Sequence, residues 1–570
     1  MDSLIPGTDL PRSAAPPMTA RKTTGLRVWM RRVLEECDRA AADFTPDPVH
    51  DLRVALRRCR SLADGMMAMD PDPEWGMMKK AGRRLFGKLG ELRDAHVMME
   101  WVEKLSRSHD SGKEASTGSP NPWGQSHEES SQDGDPRDPV GHALLEILAR
   151  REKEQTRAAR VALNEFDRKQ WRQWSRTLPR RAARIRLGSL LFKHLALERW
   201  MQAHELHRAA LRNRSQAAFH RLRIGIKRFR YTVENFLPEL HLGWSHDLKD
   251  LQDLLGEVHD LDVLWATASS CQVLADEEAR GRWHARILAE RTARIDLYRE
   301  KMVGAHSLWN IWRAALPQGR QIHAIATNRM KLWAKVLDPD FEHSQRVTSF
   351  AMQLFEDLTA AGWLSTTDGI DARSTLLAAG LLHDVGKSKQ KSGHHKASFK
   401  WIRNHDAPLG WKTEDLRRAA IVARYHRGAL PTGRHKALKE LPPPERELTI
   451  QLAAILRLAN ALDAAHDGRI RRVRLENQVR DTNHRNPIRS GQGERNSSHQ
   501  GSGSKAKHRV ITIAVEGYDA FGRNARAIAA ERHLLETVLR RPVLVRRMKN
   551  SPLGKGKHRL GPEGYGKSSK

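Results

Sequence analysis

The stretch FHRLRIGIKRFRYTVENF (Phe219–Phe236) places His220, Arg223, Lys227 and Arg230 at offsets 0, 3, 7 and 10. VHDLRVALRRCRSLADGM (Val49–Met66) repeats those offsets with His50, Arg53, Arg57 and Arg60. At 3.6 residues per turn, such offsets gather cation-forming side chains into one narrow stripe of a helix. Leu52, Ala55, Cys59, Leu62 and Met66 make a second stripe on roughly the opposite face of the first helix, as do Leu222, Ile226, Phe229, Val233 and Phe236 on the second. Each helix is expected to dock its apolar face on a core and to leave a ladder of positive charge on the other side. Like charges stacked at i, i+3 and i, i+4 cost about 0.2–0.5 kcal/mol per pair, and few acids within these helices offset that cost. The chemistry this pattern fits is capture of a polyanion that supplies the missing counter-charge. A merely solvated basic face is the bland alternative, and its repetition in one chain argues against it.

A second series could do different chemistry. FEHSQRV, LLAAGLLHDVGKSKQKSGHHKASF, IVARYHRGALP and LAAILRLANALDAAHDG follow one another between Phe341 and Gly468. In the second of these, His383 and Asp384 are adjacent. Neighbours on a helix diverge by about 100°, but at a helix end both side chains can reach one ion. Imidazole plus carboxylate suits a divalent transition metal or a magnesium-like ion. His343, on an earlier helix, would add a further imidazole. Such an ion would acidify bound water and polarise a phosphoryl oxygen, and Lys387, one turn after the dyad, could hold a phosphate oxygen. A lone His-Asp pair is a weak signal in a chain with 28 histidines, so its weight comes from the company it keeps.

The elements that must position these groups are mostly helical. Periodicity is helical from about residue 25 to 106 and again from 141 to 315. About forty residues after each basic helix comes a related block, LGELRDAHV (Leu89–Val97) and LGEVHDLDV (Leu255–Val263). Two matched blocks in the same order mark an internal duplication, and predict two similar helical bundles. Residues 106–140, rich in Ser, Gly, Pro, Asp and Glu, read as a flexible insertion. A second helical region covers 322–467. The alternating runs RIRRVRLENQV, HRVITIAVEG and PVLVRRM read as strands, with AIAAERHLLETVLRR as a helix between the last two. They form a small α/β extension over 468–548 with a polar, disordered insertion at 481–507. Residues 1–24 and 549–570 are expected to be disordered tails.

Bulk composition narrows the function classes. Lys and Arg total 99 against 68 Asp and Glu, a formal charge of +31. That surplus predicts long-range attraction to polyanions, whether nucleic acid, anionic membrane, acidic protein or phosphate chains. Three cysteines, Cys37, Cys59 and Cys271, give neither a disulfide framework nor a C-x-x-C zinc motif. No apolar run of about 18 residues is present, and the N-terminus lacks the h-region of a secretory signal. A soluble, cytoplasmic protein is expected.

The doubled H-x-x-R-(x)3-[RK]-R-x-R motif with its LGxxxD partner resembles the CHAD (histidine α-helical) domain, over about residues 25–315. The resemblance implies two pseudo-symmetric four-helix bundles whose basic helices face a shared channel for inorganic polyphosphate. It implies phosphate contacts from His50, Arg53, Arg57, Arg58 and Arg60 in the first half, and from His220, Arg223, Lys227, Arg228 and Arg230 in the second. Asp94 and Asp260 would orient these cations, and the protein could associate with polyphosphate granules. Lys227 stands where the motif has Arg, keeping the charge but losing the bidentate fork. A basic helix interleaved with aliphatics suits a bare phosphate chain better than single-stranded nucleic acid, which wants aromatic stacking platforms. Charge alone nevertheless leaves nucleic acid as a competitor.

The region from about 322 to 548 resembles the HD-domain superfamily, and in particular the helical C-terminal half of exopolyphosphatase/guanosine pentaphosphatase proteins. That resemblance implies a divalent metal (Mn, Mg or Fe) held by His343, His383 and Asp384, with His426 as an additional ligand. Asp384 and Lys387 would serve catalysis, Lys387 by contacting phosphate. Two departures stand out. Asn460 occupies the position of the family's last ligand, an Asp, and Asp463 lies three residues on. Ala397 replaces a further His, leaving His394 and His395 as imperfect substitutes. The actin-like catalytic half of those phosphatases has no counterpart in this chain. Three readings stay open: a polyphosphate-binding protein with an accessory module, a metal-dependent phosphohydrolase acting on polyphosphate or a phosphorylated nucleotide, and charge-driven nucleic-acid binding.

Overall fold

A computed structural model describes residues 25–107, 139–271, 273–274, 276–364, 369–476 and 510–548. The expected N-terminal tail, most of the 106–140 insertion, the 481–507 insertion and the C-terminal tail lie outside the described residues. The chain divides into two compact units, residues 1–329 and 330–570.

The first unit opens with α1 (Leu26–Ala42), α2 (Pro46–Met69), α3 (Pro73–Ala81), α4 (Arg83–Arg107), α5 (Pro139–Asn164) and α6 (Arg168–Ala182). It continues with α7 (Leu190–Asn213), α8 (Gln216–Phe236), α9 (Pro238–Ser270), α10 (Glu277–Met302), α11 (Leu308–Ala314) and the start of α12 (Arg320–Leu337). Local sequence explains several starts. The Asp72 and Asp167 carboxylates accept from backbone N–H groups in the first turns of α3 and α6, and Ser215 does the same for α8. Such caps satisfy donors that a helix start otherwise leaves unpaired.

The motif helices are α2 and α8, and the LGxxxD blocks lie in α4 and α9. In the first bundle α1 packs on α2, α2 on α4 and α4 on α5; in the second α7, α8, α9 and α10 pack in series. Across the pseudo-twofold, like meets like: α2 packs on α8 and α4 on α9. The apolar stripes read from the sequence, including Leu52, Cys59, Leu222 and Phe229, are fully buried. The halves also share core: Met98, Trp101, Val102, Leu144 and Leu148 of the first pack with Leu261, Leu264 and Trp283 of the second. One glycine sets the approach of the two basic helices. A Cβ on Gly65 would collide with the Phe236 ring.

The second unit contains α13 (Phe341–Ala360), α14 (Ala372–Leu382), a 3₁₀ turn (Val385–Ser388), α15 (His394–Arg403), α16 (Thr413–Arg424), α17 (Lys436–Lys439) and α18 (Pro443–Leu462). Helix α18 is the buried centre, packed against α13, α14 and α16. The extension follows as β1 (Arg472–Leu475), β2 (Ile511–Glu516), α19 (Arg523–Glu531), α20 (His533–Leu539) and β3 (Val543–Arg547). Strand β2 lies central, antiparallel to β1 with Arg472 opposite Glu516, and parallel to β3 with Ile511 opposite Val543. The helix expected before the last strand starts earlier and is broken at Arg532 into α19 and α20. The protein is thus mainly α, with pseudo-symmetric bundles followed by a helical unit and a small α/β piece. No helix among the described residues is long and apolar enough to cross a membrane.

Candidate functional site

Pairing α2 with α8 brings the two cationic stripes face to face. Arg53 and Arg57 of α2 and Arg223 and Lys227 of α8 line one trough of about 510 Å³, with Asp94 on α4 and Asp260 on α9. None of the four has an ion-pair partner among the described residues, whereas Arg93 and Arg294 at the rim are paired with Glu100 and Glu257 at 3.0 and 2.8 Å. Arg53 stands 5.9 Å from the Phe86 ring centroid and Lys227 6.0 Å from that of Tyr231. The Nε of Arg53 is buried without a hydrogen-bond partner. Burial, then the charges of Arg223, Arg53 and Arg57, bring the Lys227 ammonium down to about 8. Burial likewise pushes the Asp260 carboxyl up to about 6, even with Arg223 nearby. Seven Lys and Arg side chains share this lining with five carboxylates, Asp94, Glu100, Asp253, Glu257 and Asp260, so the trough keeps a cationic excess that an outside anion can offset.

The other motif residues have different surroundings. His50 is exposed and lines a neighbouring cavity that also touches Arg53. Arg58 forms an ion pair with Glu234 and lies 5.5 Å from the Trp29 ring centroid. Arg60 donates to the Lys79 carbonyl at 2.7 Å, tying α2 to α3. Neither Arg58 nor Arg60 lines the trough. In the second half, His220 Nδ1 is 3.3 Å from His259 Nδ1, and burial takes His259 down to about 4, leaving its imidazole neutral. Arg228 is exposed and absent from the trough lining. Arg230 keeps a buried Nε without a partner.

The His/Asp series converges in the second unit. Helix α14 ends at Leu382, so His383 and Asp384 occupy its C-terminal turn and the entry to the 3₁₀ turn. There they need not diverge. Gly386 lets that turn lie on α15, since a Cβ there would collide with the His394 carbonyl oxygen. Asp384 is the hub. Its Oδ2 is 3.4 Å from His383 Nε2 and 3.8 Å from His343 Nε2, and its Oδ1 is 3.0 Å from His394 Nε2 and 3.6 Å from His426 Nε2. All five residues are buried. The outer nitrogens fix the tautomers: Nδ1 of His383, His394 and His426 donates to the carbonyls of Gly380, Lys391 and Ala423 at 2.7, 2.9 and 2.7 Å. His343 Nδ1 donates to the Asp463 carboxylate at 2.7 Å. Each Nε2 therefore faces inward, the arrangement by which outer hydrogen bonds orient metal-binding imidazoles.

The donor set fits a metal on its own terms. Nε2 of His383, Nε2 of His394 and Oδ1 of Asp384 are buried without hydrogen-bond partners. Ligand atoms of His343, His383 and Asp384 lie within 4.8 Å of one another, as do those of Asp384, His394 and His426. Asp384 belongs to both groups. Burial alone would raise its carboxyl, but His383, followed by His394 and His426, holds it well below the usual range. Burial drives His426 well below the usual histidine range, so its ring is neutral.

The sequence departures acquire addresses here. Asn460 Oδ1 sits 3.2 Å from His343 Nε2, facing the cluster as a neutral oxygen. Asp463 holds the outside of His343 and pairs with Arg346 at 2.9 Å. Lys387 Nζ lies 2.5 Å from Asp384 Oδ2, already engaged with the hub carboxylate. His394, a poor fit by spacing, is brought fully into the cluster because α15 begins at that residue. His395 belongs to neither ligand group; its Nε2 edge lies beside Gly428, and its Nδ1 is buried without a partner.

Comparison with protein families assigns both regions. Residues 26–269 match the CHAD domain model, and residues 326–491 match that of Ppx/GppA phosphatase, domain III. The chain therefore joins a CHAD domain to a Ppx/GppA-type third domain. No curated protein matches the chain.

Proposed function

We propose that this protein binds inorganic polyphosphate, its CHAD domain seating the chain in the trough between α2 and α8. The observation that carries this reading is the convergence of Arg53, Arg57, Arg223 and Lys227, none ion-paired among the described residues, on one cavity. A phosphate chain offers a charge per repeat and nothing to stack, which suits a lining of cations with few aromatics. Arg58 and Arg60 serve the fold in this reading. Replacing Arg53, Arg57, Arg223 and Lys227 together by Ala is expected to abolish polyphosphate binding in calorimetry while leaving helicity unchanged. Arg60→Ala is expected to cost about 0.5–1.5 kcal/mol of stability, the scale of one hydrogen bond, and to leave affinity near wild type. Full retention of binding by the quadruple variant would remove the proposal.

A second reading concerns the His/Asp cluster, where the inward Nε2 atoms favour a metal-dependent phosphohydrolase. His343, His383, Asp384, His394 and His426 would hold the metal, and the imidazole-rich set favours Mn or Fe over Mg. A metal bound there would supply an acidified water and a Lewis acid. Asn460 would keep its oxygen beside His343 without adding charge, and Asp463 would hold that ring in place. If the cluster binds Mn²⁺, a concentration one hundred times Kd stabilises the folded chain by about 2.7 kcal/mol. Thermal melts with and without Mn²⁺ should show the gain in wild type and none in Asp384→Ala. Metal analysis of the purified protein checks the same point independently.

A further inference from the structure

Beside the trough lies a second cavity, of about 270 Å³, that shares Arg53 and Arg93 with it. Its chemistry is different. Half-buried Phe44 and the accessible edges of Val49 and Leu92 give it an apolar wall. A bare phosphate chain gains nothing from such a wall, because it would have to shed water there without finding a donor. At its polar edge His96 Nε2 and Glu152 Oε1 are 2.7 Å apart, beside the Thr156 side chain. A carboxylate is an acceptor for ring or exocyclic N–H groups.

From this juxtaposition we infer that the CHAD domain also takes nucleoside polyphosphates, with the phosphates on Arg53 and its neighbours in the trough and the base against Phe44, Val49 and Leu92. The cavity is at the small end of ligand sites, which suits a single base. Small pockets of this kind are commonly apolar with a few convergent polar groups, and here Glu152 supplies an acceptor that a base's N–H groups could use. The inference rests on the polyphosphate reading of the trough, since the phosphates of both ligands would use the same cations.

The test is to compare ATP with tripolyphosphate, without divalent metal, on the full-length protein by calorimetry. Tripolyphosphate carries the phosphates without the base and has the higher charge, so a purely electrostatic site prefers it. The expected result is at least about tenfold tighter binding of ATP. Thr156→Trp, which fills the cavity from its partly exposed wall, should reduce that preference to about onefold and leave tripolyphosphate affinity unchanged. Phe44→Ala should lower it several-fold, with retained tripolyphosphate binding reporting that each variant is folded. Equal or weaker binding of ATP in wild type, with tripolyphosphate still bound, overturns the inference and spares the trough. Failure of both ligands to bind overturns the trough reading and the inference with it.

Discussion

Two residues of one motif helix can meet opposite fates. Arg57 faces the trough without an ion-pair partner, while Arg58, next in sequence, is consumed by Glu234 of the other half. Helical spacing made the trough-facing set legible, because offsets of 3 and 4 decide which side chains share a face. It could not show that Arg60 would be spent on the Lys79 carbonyl, since that partner arrives with the packing of α3. Lys227 carries a consequence of its own. With its free-state pKa lowered to about 8 by burial and then by the neighbouring arginines, it is largely protonated at neutral pH. A bound polyanion favours the ammonium and raises that pKa. Lys227's contribution to affinity is therefore full below about pH 8 and is lost above it, by up to about tenfold per pH unit until the pKa of the complex is reached. Titrating affinity against pH should show this loss in wild type. Lys227→Arg, whose guanidinium stays charged, should be nearly flat over the same range.

At the scale of elements, the crossing of α2 and α8 positions the trough. At Gly65 the Phe236 ring of α8 fills the space a side chain would need. Gly65→Ala is expected to destabilise by about 1–3 kcal/mol through overpacking and to weaken polyphosphate binding as the helices part. The same substitution at Gly90, in the LGxxxD block of α4, adds a methyl group that meets nothing within 4 Å. It should be neutral or stabilise by about 0.5–1 kcal/mol. Denaturant melts of the two variants test the contrast directly. The duplication was readable because both blocks recur in order, and it implied two similar bundles; the packing of α4 on α9 was not legible, because the residues between those helices are chosen by tertiary packing. What the sequence did not reveal was the entry of His394 into the cluster. That depends on the left-handed backbone of Gly393, the N-cap after which α15 begins at His394.

At the scale of the molecule, the surplus of +31 attracts any polyanion, so charge by itself does not choose a ligand. Selectivity has to come from the trough. If its four central cations each neutralise a phosphate, log affinity should fall against log salt with a slope of roughly −3, by analogy with single-stranded nucleic acid. Polyphosphate should also displace DNA at equal phosphate concentration. A steeper slope together with preferential DNA binding would assign the interaction to the diffuse surface charge. The order of the two domains was legible from their motifs. The small sheet was legible only as separate alternating runs, because the strand order β1-β2-β3 with mixed pairing is decided by tertiary packing.

The trough has a head and a tail, although inorganic polyphosphate has neither. Arg57 on the first-half wall is answered by Lys227 on the second, and the cavity beside Phe44 belongs to the first half. A homopolymer threaded through near-twofold walls can be reversed in place or slid by one unit at little cost, so many seatings are nearly equivalent. Their number raises the entropy of the loaded state, and long chains should be gripped more firmly than the count of touching groups alone would suggest.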